Sequence, residues 1–208
     1  MRGVDHLLLI PDSHRKEKGD AATTVPPDAC VLRLPADPRR ALHALRRQVA
    51  AAADFPLATD LVPEGKAKVD LLPAHQRYQG NMYHRIPPES WTAPAKGVEV
   101  VILSALYGPI HSREPVRTYS FSMGERLGAL GTLHLWWRDH GLPAILSELI
   151  NTMKPSKVTD LLSGVYRSSV DGYRASVRTS EVEQVDFPGM GRGSQVARGN
   201  LIAQVLQG

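Results

Sequence analysis

Three continuous apolar runs of strand length divide the chain. They are "HLLLIP" from His6, "GVEVVILS" from Gly97 and "KVTDLLS" from Lys157. A run without polar alternation is typical of a strand that is covered on both faces in a mainly parallel sheet. We therefore predict a mixed α/β fold, with a mainly parallel central sheet flanked by helices.

Three longer segments have helical periodicity. "RRALHALRRQVAAAA" places apolar residues at i, i+3 and i+7 from Leu42, and "GTLHLWWRDHGLPAILSELINTM" predicts a helix broken at Gly141 and Pro143. "SQVARGNLIAQVL" predicts a closing helix with Ala197, Leu201 and Val205 at four-residue spacing. These segments supply the helices that the sheet requires.

The intervening segments give weaker patterns. "KVDLLPAHQRYQG" predicts a helix that ends near Tyr78 and a turn at Gly80, while "YRASVRT" and "EVEQVDF" alternate like a β-ribbon. We find neither an internal repeat nor a domain linker. The sequence is therefore interpreted as a single domain over residues 1–208.

Composition restricts the class of protein. The chain has 208 residues, of which 42% are hydrophobic and 22% charged, as expected for a globular rather than a disordered protein. Its net charge of +4 favours an anionic partner such as nucleic acid or a nucleotide. The alternative is that this charge serves only solubility, since the Arg residues are dispersed.

The cysteine count and the N-terminus both indicate the cytoplasm. A lone Cys30 forms no internal disulfide, which fits a reducing compartment. The apolar stretch "HLLLI" is shorter than a signal-peptide core or the roughly 20 residues of a membrane span. We expect a cytoplasmic protein without a membrane partner.

Each of the three apolar runs is followed by a serine: Ser13, Ser104 or Ser163. In open α/β sheets, ligands bind beyond the carboxyl ends of the strands. We therefore expect the three serines to line one polar crevice. Lys16 adds a cation to the first loop, which predicts a site for a phosphate or carboxylate, although a merely solvated loop is the alternative.

The second loop offers chemistry of a different kind. Tyr107 and Tyr119 provide rings for stacking on a base, Gly108 permits close backbone approach, and Glu114 is a carboxylate for acid or base work. The alternative is a tight turn in which the tyrosines only pack. No histidine or cysteine spacing fits a metal site and no cofactor motif is present, so we expect neither a metal nor a cofactor.

A series of short motifs stands in a fixed order along the chain. They are "PDSHRK" with Pro11, Ser13 and Lys16; "YQGNMY" with Tyr78, Gly80 and Tyr83; "SALYG" followed by Glu114, Tyr119 and Met123; "LWWRD"; "LLSGVY" with Ser163 and Tyr166; and "GRGSQVAR" with Arg192, Gly193 and Arg198. In this order they resemble the YaaA-like family of peroxide stress resistance proteins. The resemblance covers nearly the whole chain.

The resemblance implies an α/β protein that protects against oxidative stress, limits free iron and binds DNA through a segment like a helix-hairpin-helix. The only candidate for that hairpin is "ERLGALGTL", with Gly128 and Gly131. On this hypothesis the protein is DNA-associated, and its basic residues contact phosphates.

A second hypothesis is an enzyme that acts on a nucleotide, nucleoside or modified base, for example by cleaving an N-glycosidic bond. Its candidate catalytic residues are Glu114, Lys16 and Tyr107. Its candidate ligand-binding residues are Ser13, Tyr78, Gly80, Tyr83, Ser104, Gly108, Tyr119, Ser163, Tyr166, Arg192 and Arg198. We expect Lys16, Arg192 and Arg198 to form a cationic wall, unless the two arginines are only surface residues. A structural or adaptor role is the third possibility, and the oligomeric state is undetermined.

Overall fold

Parallel strands form most of the central sheet of the protein. The structure is a computed structural model that describes residues 3–19, 26–54, 70–191 and 193–208. In chain order the strands are His6–Pro11 (β1), Arg15–Lys16 (β2), Leu71–Pro73 (β3), Tyr78–Gln79 (β4), Val98–Ser104 (β5), Gly108–His111 (β6), Pro115–Arg117 (β7), Lys157–Asp160 (β8) and Glu181–Gln184 (β9). The main sheet has the order β6-β5-β1-β8-β9. Only β6 runs antiparallel to its neighbour.

Helices accompany this sheet, as predicted. Within the described residues they are Cys30–Arg33 (α1), Ala36–Ala52 (α2), Ala74–Arg77 (α3), Pro88–Thr92 (α4), Leu133–Asp139 (α5), Leu142–Met153 (α6), Gly164–Ser169 (α7) and Gly193–Gln207 (α8), with 3₁₀ turns at Tyr83–Arg85, Gly128–Leu130 and Tyr173–Ser176. None of the described helices is long and apolar enough to cross a membrane.

The apolar runs form the middle of the core. All six residues of β1 pair with β5, from His6 opposite Val98 to Pro11 opposite Leu103. Leu7 to Ile10 have no exposed surface. The continuous apolar pattern of these strands therefore reflects burial on both faces, as the sequence indicated.

The predicted break between two helices is confirmed. Gly141 has a φ of 99°, a left-handed conformation that glycine adopts readily, and it separates α5 from α6. Pro143 lies in the first turn of α6, where its missing N–H costs no hydrogen bond. Leu42, Leu45 and Val49 are buried on α2, which is the helical face that the sequence predicted.

Two local predictions need correction. The helix before Tyr78 is only the four residues of α3, because the preceding β3 pairs with β7. The prediction of a β-ribbon is wrong. Strand β9 joins the main sheet parallel to β8. Tyr173–Ser176 is a 3₁₀ turn, and the Tyr173 hydroxyl donates a hydrogen bond to Asp160. Short alternating segments do not reveal which strand they pair with.

The closing helix exists, but its buried face is shifted by one residue from the expected apolar spacing. Arg198, Gly199, Ile202 and Leu206 are the buried residues of α8, whereas Ala197, Leu201 and Val205 are half-buried. The helix packs so closely on the turn at Tyr83–Arg85 that a Cβ at Gly199 would overlap the Met82 carbonyl oxygen. This glycine therefore sets the distance between α8 and the turn.

Candidate functional site

The carboxylate of Asp12 lies at the centre of a polar network beyond the carboxyl end of β1. Its Oδ2 accepts hydrogen bonds from the Tyr119 hydroxyl at 2.5 Å and from the Ala105 N–H at 2.9 Å. Its Oδ1 accepts a hydrogen bond from the Tyr166 hydroxyl. Asp12 is 7% exposed, so a nearly buried carboxylate connects β1 with the loop after β5 and with α7.

Beneath Asp12, three hydroxyl groups form a closed triangle. Tyr78 Oη lies 3.0 Å from both Ser104 Oγ and Tyr119 Oη, and the last two are 2.8 Å apart. Burial, together with the nearby Asp12 charge, raises the pKa values of Tyr78 and Tyr119 well above the ordinary value. Both phenols therefore stay protonated and keep a hydrogen to donate.

Lys16 lies at the side of this network. Its Nζ donates to the Ser13 carbonyl oxygen at 3.0 Å and lies 3.7 Å from the centre of the Tyr119 ring. Burial lowers the pKa of Lys16 to about 8, against the opposing effect of the Asp12 charge. An amine with this pKa exchanges its proton near neutral pH, which suits acid or base work.

A crevice of about 390 Å³ opens over Asp12. Its lining residues are Asp12, Ser13, His14, Arg15, Gly80, Asn81, Met82, Tyr83, Tyr166 and Gln195. Asp12 and Tyr166 bring to it a carboxylate and a phenol that are already hydrogen-bonded together. Tyr83 is fixed beside them, since its hydroxyl donates to the Pro11 carbonyl oxygen at 2.8 Å.

Glycine at position 80 is required by the crevice wall. Gly80 has a φ of 144°, and a Cβ on it would lie 2.9 Å from Ser13 Oγ. The Ser13 hydroxyl in turn donates to the Gln79 carbonyl oxygen, which ties the first loop to β4. The backbone at Gly80 therefore approaches Ser13 more closely than any residue with a side chain would allow.

Other cavities bordered by described residues lie elsewhere. One of about 520 Å³ is near the start of β5, lined by residues such as Gly97, Glu99 and His111, and contains none of the predicted site residues. Another of about 420 Å³ is bordered by His75, Tyr83 and Trp91. The smaller crevice over Asp12 has the denser hydrogen-bond network, so we place the candidate site there.

The three serines follow three neighbouring strands of the sheet, as expected, but their side chains have different surroundings. Ser13 lines the crevice, whereas Ser104 is fully buried in the hydroxyl triangle. Ser163 is the residue before α7 and makes no side-chain hydrogen bond to the helix terminus. Of the three serines, Ser13 therefore lines the crevice and Ser104 belongs to the hydroxyl triangle next to it.

Glu114 and Tyr107 lie outside the crevice lining. Glu114 has no exposed surface, and its Oε1 accepts hydrogen bonds from the N–H groups of Cys30 at 2.5 Å and His111 at 2.8 Å. Burial raises the pKa of Glu114. Tyr107 is 1% exposed and its ring has no open face for a base. In this structure both residues hold the segment around Gly108 in place.

Gly108 itself begins β6 with a φ of 66°. A Cβ there would lie 3.1 Å from Leu42 Cδ1, which joins this turn to α2. The close backbone approach predicted for Gly108 is therefore made to a core leucine. No ligand atom is needed to explain this glycine.

The cationic wall of Lys16, Arg192 and Arg198 stays a prediction, and the two described members have different ring neighbours. Lys16 lies over Tyr119, whereas the Arg198 guanidinium lies 5.3 Å from the Phe187 ring centre. Arg198 is 2% exposed, so it is not a surface residue. Arg192 lies outside the described residues.

The hairpin expected for DNA binding differs from a helix-hairpin-helix. Gly128–Leu130 is a 3₁₀ turn inside a small loop closed by a bridge between Arg126 and Thr132, and α5 follows it. Residues 118–127, which precede the turn, contain no helix. The segment thus supplies one helix where the motif needs two.

Sequence reasoning missed the central residue, Asp12. It stands between Pro11 and Ser13 inside the first motif, and nothing in the local pattern distinguishes it from a solvated loop carboxylate. Its position directly after a buried strand was the available signal. Within the described residues, no group of three or more His, Cys, Asp or Glu side chains could hold a metal ion.

Comparisons with known proteins place this geometry in context. A family model described as peroxide stress protein YaaA matches residues 43–207. UPF0246 proteins from two strains of Corynebacterium glutamicum, strain R and strain ATCC 13032, are each 34% identical over 101 residues. Each match covers 46% of this chain and 38% of the relative, so the chain matches well under half the length of these curated relatives.

Proposed function

Because the chain belongs to the YaaA peroxide stress protein family, we propose that it acts in the peroxide stress response by binding a nucleoside or nucleotide in the crevice over Asp12. Family membership supports the association with peroxide stress. The ligand is inferred from the chemistry of the crevice alone. We place this activity in the cytoplasm, in keeping with a single, free and buried Cys30.

The single observation that carries the proposal is the pairing of Asp12 with Tyr166 at the crevice. Asp12 Oδ1 has one donor, Tyr166, and so keeps an acceptor position for a ribose hydroxyl, while tyrosine rings stack on bases. A volume of about 390 Å³ suits a small organic ligand. Nucleosides combine these two features in one molecule.

Cleavage of an N-glycosidic bond in the same crevice is a second candidate function, favoured by the position of Lys16. Its Nζ bonds to the backbone of Ser13, a crevice residue, and its pKa is about 8. In this reaction water attacks the anomeric carbon and loses a proton to Asp12, while the Lys16 ammonium protonates the departing base. Release of free base from a nucleoside panel, followed by chromatography, tests this step.

DNA binding has weaker support. Several arginines of the described surface are paired with carboxylates, among them Arg40 with Asp37 and Arg178 with Glu148, which reduces their attraction for phosphates. The segment expected to grip DNA has only one helix. If DNA binds at all, we expect an interaction that is independent of sequence and weakens steeply with salt.

Thermal unfolding with a ligand panel tests the proposal. Nucleosides, nucleoside monophosphates, free bases, ribose and duplex DNA are added in turn, the DNA at low and moderate salt. We expect nucleosides or nucleotides at concentrations far above Kd to raise the Tm, because a ligand that binds only the folded state stabilises it. If only DNA raises the Tm, and only at low salt, the crevice proposal fails and the protein binds DNA on its surface.

A further inference from the structure

A second polar cluster lies at the same edge of the sheet, near the carboxyl ends of β8 and β9. Arg167 on α7 donates through Nη1 to Asp186 Oδ1 at 2.6 Å. Arg198 on α8 lies over the ring of Phe187, which follows Asp186. The two guanidinium groups are close enough for the charge of Arg167 to lower the pKa of Arg198, after the larger effect of burial.

Both arginines have buried nitrogens without a hydrogen-bond partner among the described residues. In Arg167 these are Nε and Nη2, and in Arg198 they are Nε and Nη1. In Arg167 the two unpaired nitrogens, Nε and Nη2, lie on one edge of the guanidinium group and can donate to two oxygen atoms at once. Folded proteins rarely leave charged donors unpaired, because each lost hydrogen bond is costly. The cluster therefore lacks an acceptor.

The neighbouring carboxylates make no hydrogen bond to these four nitrogens and are bound to other groups. Asp186 Oδ2 accepts from Gln184 Nε2 at 3.0 Å. Asp160, whose charge also acts on Arg198, accepts from the Leu162 N–H at 2.9 Å and from the Tyr173 hydroxyl at 2.9 Å. An external anion with several oxygens would complete the cluster.

The cluster and the crevice are joined through two helices. Tyr166, which bonds to Asp12, is the neighbour of Arg167 on α7. Gln195 lines the crevice from α8, three residues before Arg198, and residues at this spacing share a helix face. The two arginines therefore lie on the same two helices that contribute Tyr166 and Gln195 to the crevice lining.

We propose that Arg167 and Arg198 bind the phosphoryl group of a nucleotide whose nucleoside part occupies the crevice over Asp12. The proposal rests on the function proposed above and specifies its ligand. A tetrahedral phosphoryl group has enough oxygens to accept from two guanidiniums on separate helices. A flat carboxylate would serve only one bidentate edge.

Calorimetric titration of a nucleoside, its 5′-monophosphate and inorganic phosphate into the wild-type chain tests this directly. We expect the monophosphate to bind at least about tenfold more tightly than the nucleoside, as charged hydrogen bonds generally contribute that much. Equal affinities of the wild-type chain for both would overturn the phosphoryl subsite while leaving nucleoside binding intact. This comparison needs no variant.

Variants test whether the two arginines cause the tighter binding of the monophosphate, which is called the gain below. Arg167→Gln and Arg198→Lys should each remove most of the tenfold difference between the affinities for the monophosphate and the nucleoside. Arg178→Ala, which removes an exposed arginine paired with Glu148, is the matched control and should keep the gain. A gain retained in both site variants would refute the assignment.

Inorganic phosphate separates the two proposals. If phosphate binds wild type and not the Arg167→Gln variant, while no nucleoside binds, the subsite is supported and the nucleoside proposal fails. If neither phosphate nor any nucleotide binds, both fail. Urea unfolding of each variant shows which of them retain the fold.

Discussion

The Tyr166 hydroxyl donates a hydrogen bond to Asp12 across 154 positions of the sequence. This bond joins the loop after the first strand to the helix after β8, at the edge where parallel strands end. It also lies in the crevice lining, so one contact both fixes the loop to the helix and presents polar groups to a ligand.

Tyr166→Phe removes only the hydroxyl that Asp12 accepts. We expect nucleoside affinity to fall by about tenfold. The variant leaves Asp12 Oδ1 without its donor, so the carboxylate that binds the ribose is no longer held by α7. Calorimetry measures the affinity. Tyr173→Phe is the control, because it removes a phenol that bonds to Asp160 instead, and unchanged binding in Tyr166→Phe would exclude this hydroxyl from the site.

Asp12→Asn tests the structural role of the carboxylate. In wild type, hydroxyl and N–H donors point at both carboxylate oxygens of Asp12. In the variant, one of these oxygens is replaced by an NH₂ group that cannot accept, so we expect the free energy of unfolding to fall by about 1–3 kcal/mol. Urea unfolding gives the value. The matched variant Asp139→Asn removes a carboxylate from the exposed pair with Arg138 and should be indistinguishable from wild type. Equal stabilities for both variants would show that the network around Asp12 is unimportant for folding.

Lys16→Met tests the buried amine through pH. The folded pKa is about 8, below the ordinary 10.5, so between these values the unfolded chain binds more protons than the folded chain. Wild-type stability relative to the variant should therefore rise from about pH 8 to about pH 10.5 and stay level below that range. Urea unfolding across this range measures the difference. A difference that does not change with pH would mean that the amine titrates normally.

Lys16→Ala tests whether the same amine takes part in binding. We expect the variant to lose nucleotide binding while it keeps the fold, because Lys16 lies over the Tyr119 ring and interacts with the Asp12 charge. Lys18→Ala, which alters an exposed lysine of the same loop, is the control. Calorimetry on both variants checks the result, and normal binding by Lys16→Ala would remove Lys16 from the site.

Gly199→Ala tests the close contact between α8 and the crevice wall. The new Cβ would overlap the Met82 carbonyl oxygen, and Met82 lines the crevice. We expect a loss of about 1–3 kcal/mol in unfolding free energy, as is usual for overpacking. Asn200→Ala, at the adjacent exposed position, should not destabilise the helix. A stable Gly199→Ala protein would show that the helix can move away from the turn without cost.

Much of the fold was predictable because burial leaves a strong pattern. The runs at His6 and Val98 could be recognised as central strands, since a strand covered on both faces is nearly continuously apolar. Strand β9 was assigned the wrong partner, because "EVEQ" alternates like any half-exposed strand. Pairing depends on contacts distant in sequence, and a local pattern does not contain them.

The site was less predictable than the fold. Ser13, Lys16 and Tyr166 could be selected from motifs, and the structure brings all three around Asp12 or its neighbours. Glu114 was chosen as the reactive carboxylate because its loop is polar, yet the structure gives it backbone partners. Which carboxylate faces a cavity is decided by tertiary packing, which a single sequence does not reveal.

Nucleotide binding over Asp12 can be seen in a crystal of the wild-type chain soaked with a nucleoside 5′-monophosphate. We expect ligand density over Asp12 and Tyr166, with a ribose hydroxyl toward the carboxylate and the base beside a tyrosine ring of the crevice. We also expect the phosphate between Arg167 and Arg198. An empty crevice at saturating nucleotide, or ligand density confined to another surface, would contradict the proposal.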